Sequence, residues 1–123
     1  MTFLLDTHIL LWSLHEPDKL TADRAQQIED RSNRVYVSSV SIAEIAINCS
    51  TGRLKVDGDL LAAVQESGFE WLDFTAAEAV LLKDLPFHHK DPFDRMLVAQ
   101  SLARDLPLMS DDENLRPYGC RLI

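Results

Sequence analysis

The stretch FLLDTHILLW, Phe3 to Trp12, decides the fold. Phe3-Leu4-Leu5 is a short apolar run of the kind buried on both faces of a parallel sheet. Asp6 ends it, and Thr7 to His15 read as a helix that Pro17 closes off. The same order, strand then helix, recurs along the chain. Thr21 caps a polar helix, TADRAQQIEDR, expected to cover the outside. Val35-Tyr36-Val37 suits a second strand. Ser41 is expected to open the next helix, with Ile42, Ile45, Ala46 and Cys49 at i, i+3, i+4 and i+7, and Gly52 as its stop. A short helix from Asp59 to Ser67 ends at Gly68, and Phe69 to Phe74 supply a third strand. Thr75 and Glu78 form a capping box for another helix. Leu85 to Lys90 read as a loop. Asp91-Pro92 pairs a cap residue with proline at the first helical position, and Met96-Leu97-Val98-Ala99 makes that helix a buried one. Leu106 to Met109 and Cys120 to Ile123 read as closing strands. The expectation is one α/β domain over residues 1–123, a three-layer sandwich with a mainly parallel sheet of about five strands between helices.

Composition sets limits on function. The 123 residues are 46% hydrophobic and 26% charged, as in an ordinary globular domain. No apolar stretch reaches the length of a membrane span, and no signal-peptide pattern is seen, so a cytoplasmic protein is expected. Two cysteines, Cys49 and Cys120, make no disulfide framework and read as small core residues. A net charge of −8 argues against a simple nucleic-acid binder, which carries a basic face. Bound divalent cations would reduce that charge at the site that matters.

Four acids mark the junctions between elements: Asp6, Glu44, Asp94 and Asp112. Asp6 and Asp112 each follow an apolar run read as a strand. Glu44 and Asp94 are placed in the first turn of apolar helices, each three residues after a cap candidate, Ser41 or Asp91. Singly, each acid is accounted for by capping. Together they fall where an open α/β sheet forms its crevice, beyond the carboxyl ends of the strands. Two carboxylates about 4 Å apart repel by roughly 4 kcal/mol at a surface-like effective dielectric. A cluster must take up protons, recruit Arg or Lys, or bind a cation. Helix N-termini favour the ionised form, and nearby cations are few: Lys90, Arg95 and Arg116. Hard oxygen donors point to Mg²⁺, with Mn²⁺ as a substitute, and such ions serve phosphoryl chemistry.

At these residues the chain resembles a PIN-domain ribonuclease, specifically the VapC-type toxin of a toxin–antitoxin pair. LLDTHILLW, SVSIAEIA, HHKDPFDRMLVAQSL and LPLMSDDENLRPYG carry the resemblance in order and spacing, over essentially the whole chain. Asp6, Glu44 and Asp94 match the family's three principal acids. The fourth, counted from Ser110, falls at Asp112, with Asp111 as the alternative. The resemblance implies a Mg²⁺-dependent endoribonuclease that hydrolyses RNA through a metal-activated water, is inhibited by a small antitoxin protein, and forms a homodimer. Asp91, Asp111, Arg95 and Ser39 are secondary site candidates. Arg95 is read as contacting RNA or pairing with Asp94. His88-His89-Lys90 is read as a solvated loop that could reach a phosphate, and Trp12 and Trp71 as core residues.

Other classes fit less well. A Mg²⁺-binding receiver domain needs an acid pair at the first strand and a lysine on a late strand, and neither is present. A haloacid-dehalogenase-like phosphatase wants an Asp where His8 stands. A PIN fold that binds RNA or protein without cutting remains the nearer alternative.

Overall fold

The computed structural model describes all residues, Met1–Ile123. Its strands are β1 (Thr2–Leu5), β2 (Arg34–Ser38), β3 (Glu70–Leu72) and β4 (Leu108–Met109). Its helices are α1 (Thr7–His15), α2 (Ala22–Glu29), α3 (Ser39–Ser50), α4 (Leu60–Glu66), α5 (Ala76–Val80) and α6 (Pro92–Arg104), with 3₁₀ turns at Pro17–Lys19, Leu81–Lys83 and Glu113–Tyr118. All strand pairs are parallel, in the order β3-β2-β1-β4. The chain runs outward from β1 to β2 and β3 on one side and returns to β4 on the other. The order therefore reverses beside β1, and the crevice of such a sheet opens there, at the carboxyl ends of β1 and β4.

Strand alternation builds two cores. Phe3, Leu5, Val35, Val37 and Met109 face one layer, packing on Ile9, Leu10, Ile45 and Val64. Leu4 and Leu108, each next to one of these in sequence, face the other, packing on Leu97, Val98, Leu115 and Tyr118. Successive side chains of a strand point to opposite faces, so strands of two to five residues suffice to hold helices on both sides. The expected three-layer α/β sandwich with a parallel sheet is what forms.

Several local expectations are corrected. The sheet has four strands, not about five. Residues 121–123 lie along β4 with three backbone hydrogen bonds, but only Leu122 forms a bridge. The helix expected to open at Ser41 begins earlier, because the Ser38 hydroxyl caps it by accepting from the Val40 N–H. Ser41 is inside the helix, buried, and accepts from the Thr7 hydroxyl. Glu44 therefore sits past the first turn and has no part in a capping box. Cys49 and Ala46 are exposed, and the buried face of α3 is instead Val40, Ser41, Glu44 and Ile45. The remaining caps stand as expected, Thr21, Asp91 and the Thr75–Glu78 box, and Asp59 caps α4 by accepting from the Ala62 N–H.

Candidate active site

Each of the four acids reaches the same end of the sheet by a different local route. Asp6 follows β1 and is still held in the sheet, since its N–H donates to the Met109 carbonyl at 3.0 Å. Its carboxylate caps α1, accepting from the Ile9 N–H at 2.8 Å. Glu44 projects from the buried face of α3. Asp94 lies in the first turn of α6, whose cap is Asp91, accepting from the Phe93 and Asp94 N–H groups. Asp112 follows β4 and caps the Glu113–Tyr118 turn through the Asn114 N–H.

These carboxylates feel one another. Burial pushes Asp94 up to about 7, with the charges of Asp91, Glu44 and Asp6 adding to the shift and His89 opposing it. Burial also raises Asp6, more than the Ser110 hydroxyl and the Ile9 N–H lower it. Glu44 is raised by burial, with Asp91 adding to it and Thr7 opposing. Helix termini at Asp6 and Asp94 were expected to keep these groups readily ionised; desolvation and mutual repulsion outweigh the dipole. No Arg or Lys pairs with any of the four; the basic groups in reach are His89, beside Asp94 and Asp112, and His8, whose charge is felt at Asp6 and Glu44. One oxygen of Glu44, Oε1, is buried without any hydrogen-bond partner. An orphaned carboxylate oxygen close to the charges of Asp91 and Asp94 suits a hard divalent cation, and the acids offer only oxygen donors. The residues present fit Mg²⁺ or Mn²⁺.

His89 was missed as more than a loop residue. Its Nε2 lies 3.0 Å from Asp112 Oδ2 and 3.5 Å from Asp94 Oδ2, the three donor atoms all within 4.8 Å of one another. Its Nδ1 accepts from the Asp91 N–H at 3.0 Å. With Nδ1 accepting, the ring carries its proton on Nε2 and donates it to Asp112. In that arrangement Nε2 has no lone pair for a metal, so His89 orients Asp112 rather than adding a nitrogen ligand. The sequence signal was its place two residues before a helix cap, within reach of the cap's N–H.

The secondary candidates divide. Asp91 is a cap whose charge reaches Asp94 and Glu44. Asp111 is exposed, although its charge is felt at Asp6. Ser39 is not at the acids: its hydroxyl accepts from the Phe74 N–H at 2.9 Å. Arg95 is not there either, and neither expectation for it holds. It is 6% exposed and donates to the carbonyls of Leu82, Leu85 and Pro86 and to the Tyr118 hydroxyl, under the Phe87 ring. It fixes the loop that leads into His89.

A family model described as the PIN domain matches residues 3–119. Ribonuclease VapC22 of Mycobacterium tuberculosis is 27% identical over 120 residues, covering 95% of this chain and 92% of that protein. Among solved structures, VapBC2 from Rickettsia felis bound to a promoter DNA fragment superposes with a TM-score of 0.75 at 16% identity, over 100% of this chain and 98% of that one. DNA-bound VapBC from Salmonella typhimurium gives 0.73 at 19% identity, over 100% and 97%. At these identities the two structures establish the fold.

Proposed function

Because the chain belongs to the PIN domain family, we propose that it is a VapC-type toxin, a Mg²⁺-dependent endoribonuclease held in check by a small antitoxin. The observation that carries the reading is the uncompensated carboxylate group at the switch point of the sheet, with Glu44 Oε1 buried and unpartnered and Asp94 pushed up to about 7. The ribonuclease name of the Mycobacterium relative and the VapBC assemblies among the structural relatives support the activity and the antitoxin. A homodimer in the cytoplasm completes the proposal.

Asp6, Glu44, Asp94 and Asp112 would hold the ion. Once bound, Mg²⁺ supplies positive charge to the phosphate and acidifies the water that attacks phosphorus. The protein's own part is positioning. Ile9 fixes Asp6 in place, and His89 turns Asp112 with its Nε2–H while the Asp91 N–H fixes the ring's tautomer. Asp94 gives up its proton near neutrality, and a bound cation would favour its ionised form. No side chain is placed as a covalent nucleophile, and the reaction needs none: water adds to phosphorus and the ribose oxygen leaves. The products expected are a 5′-phosphate and a 3′-hydroxyl.

The test is cleavage of RNA by the purified chain in Mg²⁺, in chelator, and by Asp6→Asn. Cleavage lost in both of the latter is the expected result. Equal cleavage by Asp6→Asn would assign the activity to a contaminant.

A further inference from the structure

A chain of net charge −8 must concentrate its free positive charge to hold a polyanion. Of its twelve Lys and Arg residues, seven are engaged by an acid, a carbonyl or a hydroxyl: Lys19, Arg24, Arg34, Arg95, Arg104, Arg116 and Arg121. Arg31, Arg53, Lys55, Lys83 and Lys90 have no such partner. Two of these five, Arg53 and Lys90, line one polar groove of about 520 Å³ together with Glu44, Asn48, Asp91 and Phe93. That volume lies within the ~300–1,000 Å³ of small-ligand sites.

The placement follows from local structure. Glu44 and Asn48 are one helical turn apart on α3 and share a face. The helix then ends in a Schellman turn: Gly52 takes φ +77°, its N–H donates to the Cys49 carbonyl, and the Arg53 N–H donates to the Asn48 carbonyl at 2.9 Å. The turn folds Arg53 back against the helix it has just left. A side chain at position 52 would be strained there, and the return would be lost. On the opposite wall Lys90 stands between two anchored residues, His89 bound to Asp112 and Asp91 capping α6. Lys55, two residues beyond Arg53, lines a separate groove with His8 and Trp12.

We propose that this groove is the subsite for the RNA phosphate next to the scissile one, with Arg53 and Lys90 gripping it from opposite walls and Asn48 donating from the α3 side. This rests on the ribonuclease reading above. The acids Glu44 and Asp91 on the same groove set its polarity: negative toward the carboxylate group, where a cation sits in that reading, and positive at the outer rim. A strand entering there is drawn by the rim and meets the acids only where a metal offsets them. Neither cation is held by a partner, so each is free to follow a backbone phosphate, and contact there is expected to be indifferent to base.

The test uses the uncleaving Asp6→Asn chain in Mg²⁺ and a short labelled oligouridylate, with binding measured across a range of salt. Each single-strand phosphate contact contributes about 0.7 to the slope of log affinity against log salt. Adding Arg53→Gln and Lys90→Gln together is expected to weaken binding and flatten that slope by about 1.4 if both contact phosphate. Arg31→Gln with Lys83→Gln, which removes the same charge elsewhere, is expected to leave the slope unchanged. Equal slopes for the two double variants would overturn the subsite while leaving the ribonuclease reading intact. A wild-type chain that neither binds nor cuts RNA would remove both. Melting temperatures, compared with that of the Asp6→Asn chain to which these four exposed changes are added, separate loss of fold from loss of grip.

Discussion

Glu44 and Glu78 are both buried glutamates on helices, 9% and 4% exposed, and their surroundings are opposite. Glu78 Oε1 accepts from the Thr75 N–H at 2.9 Å, and Oε2 accepts from Arg104 Nε at 2.7 Å. Burial pushes Glu78 up, but Arg104 and Thr75 together bring it below the ordinary range. Glu44 makes no ion pair, has Asp91 adding to its burial against only the Thr7 hydroxyl and His8, keeps one oxygen without a partner, and is raised. A carboxylate buried to hold a fold together is given a cap and a counter-ion. One left uncompensated costs stability in the metal-free chain, and its retention is accounted for by something that binds there.

The largest effect expected is on cleavage. Glu44→Gln or Asp94→Asn should lower it by more than about 100-fold, above the range for outer-shell partners of a metal, with the melting temperature unchanged or raised. A variant that cuts RNA at the wild-type rate would break the contrast. His89→Ala, which frees Asp112 without removing an acid, should lower metal affinity or cleavage by about 10–100-fold; equal affinity would show that Asp112 needs no orienting. Glu78→Ala should behave in the opposite way, losing about 2 kcal/mol of stability in denaturant titration while cleavage per folded molecule is kept. Arg104 is partly exposed and can turn to water, which keeps that loss below that of a sealed pair.

The smallest effect is a slope against pH. Asp94 has a folded-state pKa above its unfolded one, so between about 4 and about 7 the folded chain holds the extra proton. Its contribution therefore favours folding at the acid end of that window and is lost as pH rises through about 7, by at most about 1.4 kcal/mol per pH unit. Metal-free protein should melt lower at pH 7.5 than at pH 5.5 by this route, Mg²⁺ should reverse the trend, and Asp94→Asn should flatten it. A slope of the opposite sign that Asp94→Asn leaves intact would show that Asp94 is not the group responsible.

The layered fold was legible because short apolar runs, caps and turn glycines all agree on it. Thr75–Glu78 and Asp91-Pro92 are local signals, and local structure obeys them. The start of α3 was not legible in the same way. Ser38, Ser39 and Ser41 are equivalent as cap candidates until tertiary contacts bury Ser41 against Thr7. Nor was the fate of Arg95 readable, since an arginine beside an acid pairs with it in sequence but turns inward here to collect three loop carbonyls. His89 escaped for the converse reason. Its partner Asp112 is 23 residues away, and only the closing of the sheet brings them to 3.0 Å. Four acids could be proposed from spacing; the histidine that arranges one of them required the fold.

The central claim is that the uncompensated carboxylates hold a divalent cation, and the most direct measurement is Mn²⁺ binding by paramagnetic resonance to the wild-type chain, Glu44→Gln and Glu78→Gln. The account predicts that the wild-type and Glu78→Gln chains take up Mn²⁺ alike and that Glu44→Gln binds it far more weakly. Mn²⁺ binding by Glu44→Gln as tight as by the wild-type chain, or none by the wild-type chain itself, would contradict it.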